Sequence, residues 1–357
     1  MTRPSRSRAG AAGDCPCSPR PTDGAPPGAP SSFQRRLGPD TVSAMARVLV
    51  TRRLPGTGLD RLSAQHEVQT WPERLPPKRE ELAALARPVE GLLTLLSERI
   101  DAELLEACPR LRAVSNYAVG TDNVDLEAAT ARGIPVGNTP DVLTESTADL
   151  ALALMLAIAR RVVEGDGVVR RAGWLTWEPS FMLGRDLHDA TVGIVGLGRI
   201  GRAVARRVEG FGCKVIHTSR SGGMSLDELL DRADFLSLHA PLSDETRGLI
   251  DDAALERMKP TAFLVNTARG PIVDTMALGR ALRSGAIAGA ALDVTDPEPI
   301  PAGHPLLDAP NLVVVPHIGS ATYATREAMA DMAVDNLLAG LAGERMPYCA
   351  NPEVYES

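Results

Sequence analysis

The sequence predicts an α/β protein built on a doubly wound parallel sheet, and three observations carry that expectation. Short apolar runs alternate with helical patterns along almost the whole chain from Met45, which is how parallel strands and covering helices are laid down. Ala262-Phe263-Leu264-Val265 is a near-continuous apolar run, as a strand covered on both faces requires. The strand pattern Thr191 to Val195 leads through Gly196-Leu197-Gly198-Arg199-Ile200-Gly201 into a helical run, Arg202 to Val208, the context a phosphate-binding glycine turn needs.

Length and composition narrow the rest. The 357 residues are enough for two domains. With 44% hydrophobic and 23% charged residues the bulk of the chain is globular. A net charge of −7 and no concentrated basic stripe argue against a nucleic-acid partner. Cys15, Cys17, Cys108, Cys213 and Cys349 form no CxxC pair, unlike a disulfide framework or a zinc site, so no metal is expected and a reducing cytoplasm fits best. The longest apolar run, Ala148 to Ala159, is shorter than the roughly 20 residues of a membrane span.

Taken in order, residues 1–44 are rich in Pro, Gly, Ser and Arg without hydrophobic periodicity and read as a disordered N-terminal extension, with a misassigned upstream start as one account of it. A first series of strands follows at Ala46 to Thr51, Gly91 to Leu96, Leu111 to Ser115 and Ile134 to Val136. Thr144 to Arg161 is a strong helix, with acidic residues at its start and Arg160-Arg161 at its end, and is expected to link two domains. A second series runs through Thr191 to Val195, Lys214 to His217, Phe235 to Leu238, Ala262 to Asn266, Gly289 to Asp293 and Leu312 to Val315. A last helix, Thr325 to Gly343, must pack on something earlier.

The three glycines have separable uses. Gly196 allows the tight turn, Gly198 lets backbone amides approach a pyrophosphate, and Gly201 lets helix and strand pack closely. An acid at the end of the next strand would accept from a ribose 2′-OH and repel a 2′-phosphate. The sequence there reads His217-Thr218-Ser219-Arg220, and Arg220 with Ser219 could hold that phosphate instead. NADP(H) is the expected cofactor, with NAD(H) possible; the alternative is a solvated surface arginine.

Three further loops follow apolar strands: Asn266 to Gly270, Asp293 to Pro299, and Pro316 to Ser320. Ligands of open parallel sheets bind beyond the carboxyl ends of the strands, so these loops should converge. Reduction of a 2-oxo acid needs a cation for the carboxylate, a hydride donor and an acid for the carbonyl oxygen. Arg269 and His317 supply the first and last, and Glu298 is the candidate partner that orients His317 and favours its protonated form. Singly, each has a plainer explanation: a structural ion pair, a solvated loop acid, a hydrogen-bonded histidine. It is their joint placement that points to catalysis.

These motifs, with Asn116-Tyr117-Ala118-Val119-Gly120-Thr121-Asp122-Asn123, Thr139 to Thr144 and Pro316 to Thr322, resemble the D-2-hydroxyacid dehydrogenase family, and within it the glyoxylate/hydroxypyruvate reductases. The resemblance spans about Met45 to Pro352. It implies catalytic Arg269, Glu298 and His317, and substrate contacts at Val119, Gly120, Arg269, His317 and Ser320. It further implies cofactor contacts at Gly198, Arg199, Ile200, Ser219, Arg220 and Pro241, with Asp293 and the Thr267 carbonyl on the nicotinamide. The implied fold is a Rossmann-type doubly wound cofactor domain, residues 143–322, inserted into a smaller flavodoxin-like α/β substrate domain, residues 45–142 and 323–357. Hinges would lie near the helix Thr144 to Arg161 and near Ala321. The resemblance also implies a homodimer; Trp174 and Trp177 either reach across its interface or fill a core. The expected reaction is NADPH-dependent reduction of glyoxylate to glycolate and hydroxypyruvate to D-glycerate. Alternatives are a relative acting on bulkier 2-oxo acids or 3-phosphoglycerate, and a dinucleotide-sensing regulatory protein.

Overall fold

The computed structural model describes residues 45–356; the extension expected over residues 1–44 lies outside them. Two parallel sheets organise the chain. The first contains β1 (Arg47–Val50), β2 (Glu67–Thr70), β3 (Gly91–Thr94), β4 (Ala113–Asn116) and β5 (Val136–Gly137), in the order β2-β1-β3-β4-β5. That is the flavodoxin-like order. Side-chain alternation divides β1, β3 and β4 between two cores: Val48 and Val50 pack with the last helix, Leu49 and Leu92 with the helices on the other face.

The last helix, Tyr323–Ala342, covers one face of this sheet. Its buried Met329, Ala333, Val334, Leu337 and Leu341 recur at helical spacing. Asn336 is fully buried on the same face, donating to the Asn138 carbonyl (2.9 Å) and accepting from Tyr348 N–H (2.9 Å). Gly343 ends the helix at φ +76°, which glycine adopts without strain.

The second sheet contains β6 (Thr191–Val195), β7 (Lys214–Ser219), β8 (Gly222–Gly223), β9 (Phe235–Leu238), β10 (Phe263–Asn266), β11 (Gly289–Leu292) and β12 (Leu312–Val314). Its order is β12-β11-β10-β9-β6-β7-β8, parallel except for the β7–β8 pair. The six anticipated strands are all present, and the additional β8 is a two-glycine edge. Strand order reverses between β6 and β9, the switch point beside which such sheets bind ligands.

The long helix ends at Ala159, two residues before its expected limit, because Arg161 turns left-handed (φ +52°). It packs Ala151, Leu154, Met155 and Ile158 into the core of the second sheet. A further helix, Val162–Arg170, has no buried residue. The loop after it leaves Trp174 and Trp177 61% and 78% exposed, which excludes the core role weighed for them. Among the described residues no helix is long and apolar enough to cross a membrane.

Candidate active site

A cavity of about 630 Å³ opens between the carboxyl ends of the two sheets. Val119 and Gly120 reach it from the loop after β4. The second sheet contributes Gly198, Arg199 and Ile200 from the glycine turn, Pro241 after β9, Thr267 and Arg269 after β10, Asp293 after β11, and His317 and Ser320 after β12. Glu298 stands behind His317. Ser219 and Arg220 lie outside the cavity at the end of β7, and Gly196 and Gly201 form the base of the turn.

Local sterics explain the turn. Gly196 has φ +92°, and a Cβ there would come within 2.6 Å of Ala240 N. A Cβ at Gly201 would overlap the Gly196 carbonyl oxygen, whereas one at Gly198 would meet nothing. The helix therefore begins at Arg199, with Gly198 as its cap and Gly201 inside its first turn, three residues before the expected start. Its N-terminal amides face open space in the cleft, which fits a pyrophosphate. The buried Thr267 hydroxyl has no hydrogen-bond partner, a second sign that this wall is completed by a bound group.

Arg269 is held by two contacts. Its Nε is 3.0 Å from Asp122 Oδ1, and Nη1 donates to the Ala268 carbonyl at 2.8 Å. Asn266 staples the same loop, donating to the Arg269 carbonyl (2.9 Å) and accepting from Ala268 N–H (3.0 Å). Across the cleft His317 Nδ1 lies 2.5 Å from Glu298 Oε1. The carboxylate thus occupies one ring nitrogen, and among the described residues the other has no hydrogen-bond partner. His317 has φ +53°, a conformation costing about 1–3 kcal/mol in a non-glycine residue.

Asp293 secures that conformation. Its carbonyl accepts from His317 N–H (2.9 Å), Oδ1 from Ile318 N–H (2.6 Å) and Oδ2 from Gly319 N–H (2.8 Å). Burial pushes the Asp293 carboxyl above its ordinary range, against the opposing pull of these amides and of His317. Its carboxylate therefore clamps the histidine loop, which sequence reasoning did not foresee. His239 also lines the cleft; its Nε2 lies 2.8 Å from the Ser237 hydroxyl. Burial pushes its pKa down to about 4, so the ring is neutral at neutral pH.

The loop after β4 is tied back by two asparagines. Asn116 Nδ2 donates to the Gly120 carbonyl (2.9 Å) and Asn138 Nδ2 to the Val119 carbonyl (2.8 Å). Both carbonyls are thereby tied back, while among the described residues neither Val119 N–H nor Gly120 N–H has an acceptor. Asn123 donates to the Leu95 and Glu98 carbonyls at 3.0 and 2.9 Å, joining this loop to the one after β3. At the far end of the turn, Arg199 pairs with Asp141 at 2.7 Å. Ser219 Oγ contacts Ser221 Oγ and the Gly222 carbonyl, and Arg220, 79% exposed, is 3.5 Å from Glu245.

Comparison with known proteins gives concordant matches. Residues 152–319 match the model for the NAD-binding domain of D-isomer specific 2-hydroxyacid dehydrogenases. A glyoxylate reductase of Korarchaeum cryptofilum is 48% identical over 320 residues, covering 86% of this chain and 96% of that protein. The crystal structure of the TT0316 protein of Thermus thermophilus superposes with TM-score 0.82 at 51% identity, covering 85% and 99% of the two chains. An NADPH-dependent glyoxylate/hydroxypyruvate reductase of Sinorhizobium meliloti, solved with NADP and malonate, gives TM-score 0.76 at 36% identity, covering 87% and 98%.

Proposed function

The chain belongs to the D-isomer specific 2-hydroxyacid dehydrogenase family, NAD(P)-dependent oxidoreductases acting on CH–OH groups, and from that premise we propose that it reduces glyoxylate to glycolate and hydroxypyruvate to D-glycerate with NADPH. The observation that carries this reading is the meeting, in one cleft, of two unpaired amides at Val119 and Gly120, the Arg269 guanidinium and the Glu298-backed His317. The amides and Arg269 bind the substrate carboxylate, charge-assisted contacts each worth about 1.5–3 kcal/mol. NADPH, when bound, would supply the hydride that reduces C2. His317 gives its proton to the carbonyl oxygen, Glu298 stabilises the charged ring before transfer, and Ser320 closes the substrate side. Asp293 and the Thr267 carbonyl would hold the nicotinamide.

Cofactor choice rests on Arg220 and Ser219. The pair of Arg220 with Glu245 is exposed and long, a kind of contact worth about 0–1 kcal/mol, so a 2′-phosphate outcompetes it. We assign residues 45–142 and 323–357 as the substrate domain and 143–322 as the NAD(P)-binding domain. Exposed Trp174, Leu175, Trp177 and Leu183 form an apolar arm suited to a homodimer interface, and the assigned compartment is the cytoplasm. Similarity to named glyoxylate reductases and to an NADP-bound relative supports the substrate and the cofactor. Following NADPH and NADH consumption against a panel of 2-oxo acids tests both. Highest kcat/KM with glyoxylate or hydroxypyruvate and NADPH is expected; preference for NADH, or for a branched 2-oxo acid, refutes the corresponding part.

A further inference from the structure

A second cavity, of about 480 Å³, adjoins the catalytic cleft and shares Tyr117 and Arg326 with it. Arg52, Arg53, Arg74 and Arg326 line it, against one acid, Glu73. Arg52 is neutralised by the buried Glu98 at 3.2 Å. Among the described residues Arg53, Arg74 and Arg326 have no carboxylate partner. Such a concentration runs against the chain as a whole, which has 38 basic and 45 acidic residues, and the walls of a cavity focus its field.

Two features show a built site. Arg326 is half-buried, and among the described residues its ring partner is Tyr117, 6.0 Å from the guanidinium carbon to the ring centroid. That contact recovers only part of the hydration a half-buried cation gives up. The loops bearing the other arginines are also fixed. Thr51 Oγ1 donates to Glu98 Oε2 at 2.7 Å beside Arg53, and Trp71 Nε1 donates to the Leu75 carbonyl at 2.8 Å, closing the turn that carries Arg74.

We propose that this cavity is an anion subsite in which Arg53, Arg74 and Arg326 bind a carboxylate or phosphate. The anion is either the far end of a longer 2-oxo acid seated in the catalytic cleft or a free anion beside it; the first form rests on the 2-oxo acid reading above. Exposed Arg53 and Arg74 touch none of the catalytic groups, so the test is the R53Q/R74Q double variant with thermal unfolding as a fold control. Glyoxylate, which has no second anionic group, should keep its kcat/KM within about twofold. If the anion is attached, kcat/KM for oxaloacetate falls about tenfold or more, the effect of losing one charge-assisted contact. If it is free, inorganic phosphate at constant ionic strength and saturating NADPH changes the glyoxylate KM saturably in the parent protein but not in the variant. Parallel behaviour of parent and variant in both assays overturns the subsite. Should no 2-oxo acid be reduced, the catalytic reading fails on its own. Calorimetric titration of phosphate into NADPH-saturated protein then decides the subsite: heat in the parent alone supports it, and equal traces overturn it.

Discussion

Replacing Gly120 with alanine adds a single methyl group at the point where the loop after β4 meets Arg269. The new Cβ would fall on Arg269 Nη2, 2.9 Å from its Cζ and 2.7 Å from Asp122 Oδ1. The guanidinium must therefore withdraw by at least about 1 Å, and a misplacement of that size in a catalytic group costs about 100-fold. In free energy that is about 2.7 kcal/mol of transition-state stabilisation. The fold should barely register the change, because the displaced atoms are the tip of a flexible side chain, and alanine stiffens the unfolded chain by about 0.4–1 kcal/mol in compensation. Steady-state kinetics with glyoxylate should show the 100-fold loss in kcat/KM, with NADPH affinity and unfolding temperature unchanged. Adding R269A to G120A should cost little more than R269A alone, since both remove the same interaction. A G120A protein within threefold of the parent, or fully additive variants, would refute the anchoring role of Arg269.

Three other outcomes follow from the same geometry. Glu298→Gln keeps a hydrogen-bonding atom near His317 Nδ1 but removes the charge, so kcat should fall about tenfold or more while NADPH still binds; unchanged kcat would leave Glu298 without a role. Arg220→Gln should raise the KM for NADPH about tenfold and leave that for NADH alone, and an equal effect on both would disprove the 2′-phosphate assignment. Asp234 is opposed by burial, but Lys259 at 2.8 Å and Thr191 N–H at 2.9 Å hold its carboxyl below the ordinary value. Its stabilisation is thus complete above pH 3.8 and lost as pH falls through the depressed folded value. Asp234→Asn should unfold about 2–4 °C below the parent at pH 7, the gap narrowing in acid; a gap that widened there would reverse the sign.

Much of this architecture was legible because strands buried on both faces announce themselves. Phe263–Asn266 and Gly289–Leu292 are buried throughout, and the loops bearing Arg269 and Glu298 follow directly from them. Two of the edge strands, β2 and β8, were not legible. Glu67–Thr70 has a single strong apolar residue and is defined by its pairing with β1, and Gly222–Gly223 has no side chains to pattern. In the site, residue types and strand ends pointed to Arg269, Glu298 and His317. Asp122, 147 residues away from Arg269, could not be matched to it before the sheets were assembled. Likewise the tying back of the Val119 and Gly120 carbonyls by Asn138 and Asn116 depends on where β4 and β5 end, and the clamp at Asp293 on a backbone reversal at His317.

The central claim is that His317, oriented by Glu298, delivers the proton as hydride reaches the substrate. It is tested most directly by the His317→Ala protein, assayed for NADPH affinity by fluorescence titration and for single-turnover oxidation of bound NADPH by glyoxylate. The account predicts unchanged cofactor affinity and a turnover rate lower by about 100-fold or more. Turnover near the parent rate, with cofactor still bound, would contradict it.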